Sequence, residues 1–236
     1  YNSRTETRNR QVKQISNQFT RRNMKVLNLY ACLGGNRLLW NNCEVTAVEL
    51  DEAAAKLYQE RFPSDTVIVA DAHQYLLDHY KEFDFIWSSP PCPTHSRIQI
   101  SQYTRESWNP QYFDMKLYQE IIFLQTFFKG KYCVENVIPY YEPLIPAKKR
   151  GRHLYWTNFN LPNVLSNRNN PDLSRTKNVT DVLCEFHNFD FYKYNGKQNR
   201  RKMARNLVDY QAGQTIFEAA RGIIVNKQNT NQSKLF

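Results

Sequence analysis

The sequence is poor in glycine, with 7 in 236 residues, and holds neither a GxGxxG nor a GxxxxGK[ST] run. The first absence argues against an NAD or FAD fingerprint, and the second removes a P-loop. No apolar run approaches the ~18 residues of a membrane span, so no membrane partner is expected. No apolar signal segment opens the chain, and nothing points to secretion. Position 1 is Tyr rather than Met, which leads us to expect a trimmed natural N-terminus. The 5 cysteines are an odd number, so a disulfide framework is not expected. Cys184 and His187 are spaced like half a zinc site, but no second pair matches them, and no metal is expected. Acids are in the minority, at 22 against 32 Lys and Arg, for a net charge of +10. That balance points to a polyanionic partner, nucleic acid first.

The charge is unevenly spread. Residues 1–23 carry Arg4, Arg8, Arg10, Lys13, Arg21 and Arg22 against Glu6 alone, and residues 144–205 carry thirteen cations against four acids. Two solvated basic faces would look the same. Hydrophobic residues make up 41% and aromatics 14%, enough for one fairly large folded domain or one domain with a small appendage.

Between the basic stretches, strands alternate with helices. Lys25–Tyr30, Val45–Glu49, Thr66–Ala70, Phe83–Ser88 and Tyr132–Glu135 read as strands. Glu52–Arg61, His73–Tyr80 and Gln111–Lys129 read as helices, and Pro93–Pro110 as loop. The alternation predicts βαβ units and a mostly parallel sheet, with a ligand crevice at the carboxyl ends of its strands. Gly34-Gly35, Glu49, Asp71 and Pro90-Pro91-Cys92 all fall just past predicted strand ends. Residues 158–205 show little periodicity, and a helical pattern returns over Gln211–Val225.

Several of these residues carry possible chemistry. Gly34-Gly35 would let backbone N–H groups approach a nucleotide-like ligand, with the next helix start favouring negative charge, although a plain tight turn fits as well. Glu49 is placed to accept hydrogen bonds from ribose hydroxyls. Cys92 follows two prolines that stiffen its turn, so its sulfur would stand at the crevice mouth as a nucleophile unless it is a buried, inert thiol. Glu135, flanked by apolar residues, suits a proton donor, or else pairs with an arginine for structure. Arg150 and Arg152 form either a surface basic run or a clamp beside the nucleophile.

Taken in order, these residues resemble the DNA cytosine-5 methyltransferases, from about residue 25 to 225. Tyr30-Ala31-Cys32-Leu33-Gly34-Gly35 is similar to the family's first motif, FAGxGG. Pro90-Pro91-Cys92 is similar to its catalytic motif, with Ser96 in the loop that follows. Glu135-Asn136-Val137 is the ENV motif, Lys148-Lys149-Arg150-Gly151-Arg152 resembles QxRxR, and Gln211-Ala212-Gly213-Gln214 resembles the closing QxGN. The resemblance implies a Rossmann-like α/β methyltransferase fold with a mixed seven-stranded sheet and a small recognition subdomain. The implied divisions are a basic arm (1–23), a catalytic core (24–157), a target-recognition region (158–205) and a C-terminal helix returning to the core (206–236).

It implies S-adenosyl-L-methionine as cofactor, leaving as S-adenosyl-L-homocysteine, held by Tyr30, Ala31, Leu33, Gly34, Gly35, Glu49, Leu50, Asp71, Ala72 and Pro91. Cys92 would attack cytosine C6, Glu135 would hold or protonate N3, and Arg152 and Arg150 would assist. Double-stranded DNA, with the cytosine flipped out, would meet Ser96, Arg97, Arg105, Arg168, Arg175, Lys177, Arg200, Arg201 and Lys202. A monomer on DNA is expected, with room for a missing specificity partner, in a cytoplasm of prokaryotic or viral origin.

The sequence departs from the family at Asn28, where an acid is common, at Cys32 in place of a glycine, at Pro93 and His95 after the nucleophile, and at Lys148 in place of Gln. Residues 158–205 are also shorter than the usual recognition region. A tRNA cytosine-5 methyltransferase and a non-catalytic nucleic-acid-binding protein on the same fold are the alternatives. An adenine N6 enzyme lacks its acceptor and stacking aromatic in Ser89-Pro90-Pro91-Cys92.

Overall fold

The computed structural model describes residues 23–102, 109–173 and 176–223. Seven strands form one sheet: β1 (Met24–Leu29), β2 (Cys43–Glu49), β3 (Thr66–Val69), β4 (Phe85–Ser88), β5 (Lys131–Val137), β6 (Lys148–Arg150) and β7 (His153–Thr157). Their order is β3-β2-β1-β4-β5-β7-β6. The first five run parallel, β7 is antiparallel to β5, and β6 is antiparallel to β7. This is the mixed sheet and the Rossmann-like methyltransferase architecture that the resemblance implied.

The helices are α1 (Glu52–Arg61), α2 (Ala72–His79), α3 (Ile98–Gln102), α4 (Lys116–Phe127), α5 (Val179–His187), α6 (Arg200–Asn206) and α7 (Tyr210–Ala220). None among the described residues is long and apolar enough to cross a membrane. The central strands are buried on both faces, which explains their continuous apolar runs. One face packs Leu27, Leu29, Ile86 and Val134 against Leu76 of α2 and Leu117, Ile121 and Leu124 of α4. The other packs Val26, Phe85, Trp87 and Cys133 against Trp40 and against Ile216 and Phe217 of α7.

Two polar clusters in this interior are internally paired. Asn28 accepts from the Asn36 amide at 2.7 Å, so the amide standing where the family favours an acid is satisfied by a second amide. Arg37 grips Asp65 with Nε and Nη2 at 2.8 and 2.9 Å, and Tyr58 adds its hydroxyl at 3.0 Å.

Three local expectations needed correction. The helix expected over Gln111–Lys129 begins at Lys116, because Asp114 is pinned to Thr94 Oγ1 through its own N–H and then accepts from the Lys116 N–H. The loop Pro93–Pro110 contains α3. Residues 158–205 hold α5 and α6, whose Leu183, Met203 and Ala204 pack with Tyr194 against Leu33 and against Ala54 and Leu57 of α1. Asp51 caps α1 by accepting from the Ala53 and Ala54 N–H groups, and the Tyr194 hydroxyl hooks onto the same carboxylate.

Helix α7 closes against the turn after β1. Trp40 donates its indole N–H to the Gly213 carbonyl at 3.0 Å. A Cβ on Gly213 would lie 2.2 Å from the Asn36 carbonyl oxygen, so only glycine fits there. Gly213→Ala should therefore destabilise the protein by about 1–3 kcal/mol through overpacking. A lower urea midpoint at unchanged slope is the expected result, and an unmoved midpoint would mean that α7 does not seat against this turn.

Candidate active site

The carboxyl ends of β1 to β5 lie along one edge, which gathers the turn after β1, Glu49, Asp71, Cys92 and Glu135. At β1 the chain turns through Tyr30 and Cys32, both left-handed with φ of 56° and 49°, and Gly34 at 67°. The turn then proceeds by i→i+3 hydrogen bonds, Gly34 to Ala31, Arg37 to Gly34 and Trp40 to Arg37. No α-helix starts between β1 and β2 among the described residues, so the helix start expected after Gly34-Gly35 is not there.

The two glycines answer to packing behind the turn rather than to space for a ligand. A Cβ on Gly34 would meet the Phe62 and Tyr58 rings at 2.4 and 2.7 Å, and one on Gly35 would meet the Val208 carbonyl oxygen at 2.4 Å. Cys32 occupies the left-handed position that the family fills with glycine. Burial and the nearby Glu49 push its thiol pKa up to about 12, which makes it an inert sulfur.

Glu49 bridges the turn. Its Oε2 accepts from the Cys32 N–H at 2.8 Å and its Oε1 from the Asp51 N–H at 2.9 Å. Burial raises its pKa against the pull of those two donors. Each oxygen keeps a further lone pair for a hydroxyl donor. Leu50 and Val69, at the ends of β2 and β3, stand 69% and 51% exposed beside it. A carboxylate with spare acceptor capacity next to exposed apolar side chains fits a ribose and a purine, so the residues present suit a nucleoside cofactor.

Asp71 caps α2 by accepting from the His73 and Gln74 N–H groups, and Lys116 approaches its other oxygen at 3.4 Å. Partial burial would raise its pKa, but the two backbone donors and Lys116 outweigh it and hold the carboxylate below its usual range. Ala31, Leu33 and Ala72 are buried and can offer a ligand only their backbone, while Pro91 is exposed.

Cys92 follows β4, and Glu135 lies near the end of the neighbouring β5. The two strands pair in parallel, Ser88 opposite Val134. Asn136 reaches from β5 to donate its amide to the Pro90 carbonyl at 3.0 Å, which fixes the proline turn to the strand that carries Glu135. Glu135 is 8% exposed and accepts from the Ser89 hydroxyl at 3.1 Å, and the Trp87 indole N–H donates to that same hydroxyl at 2.7 Å. The Cys92 thiol is partly exposed. Burial raises its pKa and the Glu135 charge adds to the rise, while Lys202 on α6 pulls the other way. The free protein thus holds Cys92 mainly as thiol.

The other sequence-derived residues divide. Arg152 is exposed on the β6–β7 turn, its side chain without a hydrogen-bond partner among the described residues, and its carbonyl accepts from the Ile138 N–H just past β5. Arg150 is spent on structure, donating to the carbonyls of Pro162, Leu161 and Lys149 and to the Asn163 side chain. Arg168 is similarly tied. It pairs with Asp209 at 3.1 Å, donates to the Phe186 carbonyl and lies between the rings of Phe186 and Tyr210. Both are corrections, because a guanidinium engaged in this way is not held out to a base or a phosphate.

Ser96 and Arg97 adjoin a shallow pocket of about 610 Å³ that Arg97 lines with Ile100, Pro139, Tyr140 and Glu142. Lys177, Arg200, Arg201 and Lys202 are exposed. Arg105 and Arg175 lie outside the described residues. Among the described residues no group of His, Cys, Asp and Glu could hold a metal ion.

Sequence reasoning passed over Glu120, which is 1% exposed beneath this edge. The available signal was an acid on the apolar face of a helix, among Leu117, Ile121 and Leu124.

The seven-stranded mixed sheet, five parallel strands extended by an antiparallel pair, has the architecture of the Rossmann-like methyltransferases. Residues 24–137 match the model of the C-5 cytosine-specific DNA methylase family. The cofactor of that family is S-adenosyl-L-methionine. No curated protein sequence matches the chain.

Among solved structures, the chain is similar to a SAM-dependent methyltransferase from Agrobacterium tumefaciens (17% identity, 51% of this chain and 41% of that one, TM-score 0.38). It is also similar to Spodoptera frugiperda DNMT2 (24%, 48% and 35%, TM-score 0.36) and to the Entamoeba histolytica methyltransferase EhMeth (15%, 50% and 39%, TM-score 0.33). The chain thus spans 41% and 35% of the length of the first two. None of the three sets any detail of the site.

The raised pKa of Cys92 has a direct readout, because only the thiolate is alkylated. Iodoacetamide labelling of Cys92, followed by peptide mass spectrometry, should keep rising above the pH at which a free cysteine levels off. Lys202→Gln should move that curve to higher pH and Glu135→Gln to lower pH, with the Lys202 effect shrinking in high salt. One curve shared by all three proteins would mean that neither charge faces the thiol.

Proposed function

We propose that the protein is a DNA cytosine-5 methyltransferase that works through a covalent bond between Cys92 and C6 of a flipped-out cytosine. The observation that carries this reading is the pairing of Cys92 and Glu135 at adjoining strand ends, locked by Asn136. The family match over 24–137 supports cytosine-5 methylation; duplex DNA as substrate, base flipping and the residue roles are our own reading.

Cytosine C5 is a poor nucleophile. Addition of the Cys92 thiolate to C6 forms a C–S bond and moves the C5–C6 π electrons onto the ring. Glu135, held by Ser89, offsets the charge at N3 with a proton or hydrogen bond. The ring is then an enamine, nucleophilic at C5. The bound cofactor supplies an electrophilic methyl group on a sulfonium. Once C5 is methylated, its proton leaves to a base and the C–S bond breaks, restoring the double bond and the thiolate. Before the first step Cys92 must lose its own proton, a step that Lys202 favours. Arg152, free at the same edge, is assigned to hold the base. Glu49 and Asp71 are assigned to the cofactor with Tyr30, Ala31, Leu33, Gly34, Gly35, Leu50, Ala72 and Pro91. Ser96 and Arg97, in the segment after Cys92, and Lys177, Arg200, Arg201 and Lys202, within a recognition region at 158–205, are assigned to the DNA backbone.

The test is covalent trapping. With S-adenosylmethionine and duplex DNA carrying 5-fluorocytosine, the fluorine cannot leave as the proton does, so the protein should run attached to DNA on a denaturing gel. The band should require cofactor and disappear in Cys92→Ala. A band with fluorinated RNA alone would move the substrate to RNA, and none with either would sink the catalytic reading.

The basic residues of α6 make a separate prediction. Replacing Arg200, Arg201 and Lys202 with Gln should weaken DNA binding. The slope of log affinity against log salt should fall by about one for each phosphate that is no longer neutralised. An unchanged slope would place α6 away from DNA.

A further inference from the structure

Glu120 takes no part in the chemistry above, yet its fully buried carboxylate joins three points of the site's edge. Oε1 accepts from the Tyr30 hydroxyl at 2.5 Å and lies 3.0 Å from His73 Nδ1, and Oε2 accepts from the Ser88 hydroxyl at 2.6 Å. Tyr30 is the first residue past β1, His73 lies in the first turn of α2, and Ser88 ends β4 four residues before Cys92. One turn earlier on α4, Lys116 meets Asp71. Position 120 lies on the packed face of α4 between Leu117, Ile121 and Leu124, where an apolar residue would serve stability at least as well. A charged group kept at such a place, with every bond directed to the site's edge, is the kind of local exception that marks function.

We propose that Glu120 is a positioning residue whose two oxygens hold two halves of the site in register. Oε1 fixes Tyr30 and His73 on the cofactor side, and Oε2 fixes Ser88 and with it the turn that presents Cys92. The proposal rests on the cofactor assignment above for its first half, and on the position of Cys92 alone for its second. The charged and titratable groups facing His73 are Glu120 and Lys116 from α4, Asp71 at the cap of its own helix and Tyr30 from β1. The hydrogen bond that His73 donates to Glu120 raises the His73 pKa against partial burial. The ion pair is therefore complete below the ordinary histidine range and is lost as pH rises through the raised value.

Neither readout of the test needs turnover. Binding of S-adenosyl-L-homocysteine is measured by calorimetry, and the state of the Cys92 turn by its alkylation rate with iodoacetamide. Tyr30→Phe should weaken S-adenosyl-L-homocysteine about tenfold and leave alkylation within about twofold. Ser88→Ala should speed alkylation at least about threefold by loosening the turn, with cofactor affinity within about twofold. Glu120→Gln, matched in shape, should do both and flatten the decline of affinity with rising pH.

Wild-type values for Glu120→Gln in both assays overturn the proposal. So do Tyr30→Phe and Ser88→Ala variants that change both readouts together, in proportion to a loss of melting temperature, since that is the pattern of a purely structural acid. A wild-type protein that binds no S-adenosyl-L-homocysteine overturns the cofactor assignment and the Oε1 half with it. The alkylation rates still decide the Oε2 half.

Discussion

The bond from the Asn136 amide to the Pro90 carbonyl sets the geometry on which the site depends. Parallel strands β4 and β5 end side by side, and beyond them the ladder supplies no further partners. Pro90 and Pro91 have no N–H to donate, so their turn cannot extend the sheet. Their carbonyls must find donors elsewhere, or stay unpaired at a cost of about 1–3 kcal/mol when buried. Asn136 answers for Pro90 from the residue beside Glu135. The nucleophile and the acid are thus fixed to each other through one strand end and one side chain, with no long loop between them.

That arrangement has an electrostatic consequence. Glu135 is close enough to raise the Cys92 pKa, so the acid that would serve the ring opposes formation of the thiolate. The opposing charge comes from α6, in the short region after β7. Helix α6 is held by Met203 and Ala204 in a cluster that includes Leu33 of the turn after β1. On our reading, this region does more than face nucleic acid, since it brings a cation to the thiol. A bound polyanion would draw on the same lysine, so substrate binding and thiolate stabilisation compete for Lys202, or are joined by it.

Much of the fold was legible because the central strands are buried on both faces and read as unbroken apolar runs. The strand ends then located Glu49, Asp71, Cys92 and Glu135. What was misread shared one cause: a residue type states what a side chain can do, not what it is already doing. At Gly34 and Gly35, where a ligand-binding turn and a plain tight turn had both stayed open, Tyr58, Phe62 and Val208 pack from behind. Arg150 and Arg168 looked like free cations and are occupied by carbonyls, a carboxylate and aromatic rings. β6 and the helices within 158–205 are short and were hidden by basic and Asn-rich composition. Glu120 was hidden by its helix, whose apolar spacing is informative enough to mask one exception.

The turn after β1 shows why those exceptions gather at this edge. Two non-glycine residues held left-handed, Tyr30 and Cys32, cost on the order of 1–3 kcal/mol each. Such a conformation persists only when its surroundings over-determine it, and here they do. Glu49 ties the Cys32 N–H to the start of α1, Glu120 holds the Tyr30 hydroxyl from below, and α7 closes over the segment that follows through Trp40 and Gly213. A glycine at position 32 would adopt the same φ without strain, but it would also leave the turn more freedom in the absence of ligand. The cysteine accepts strain and narrows the turn to one shape. In a chain with few glycines, the shape of this turn is thus maintained by two acids, the buried Glu120 acting on a side chain and the half-buried Glu49 acting on the backbone, rather than by conformational freedom in the loop itself.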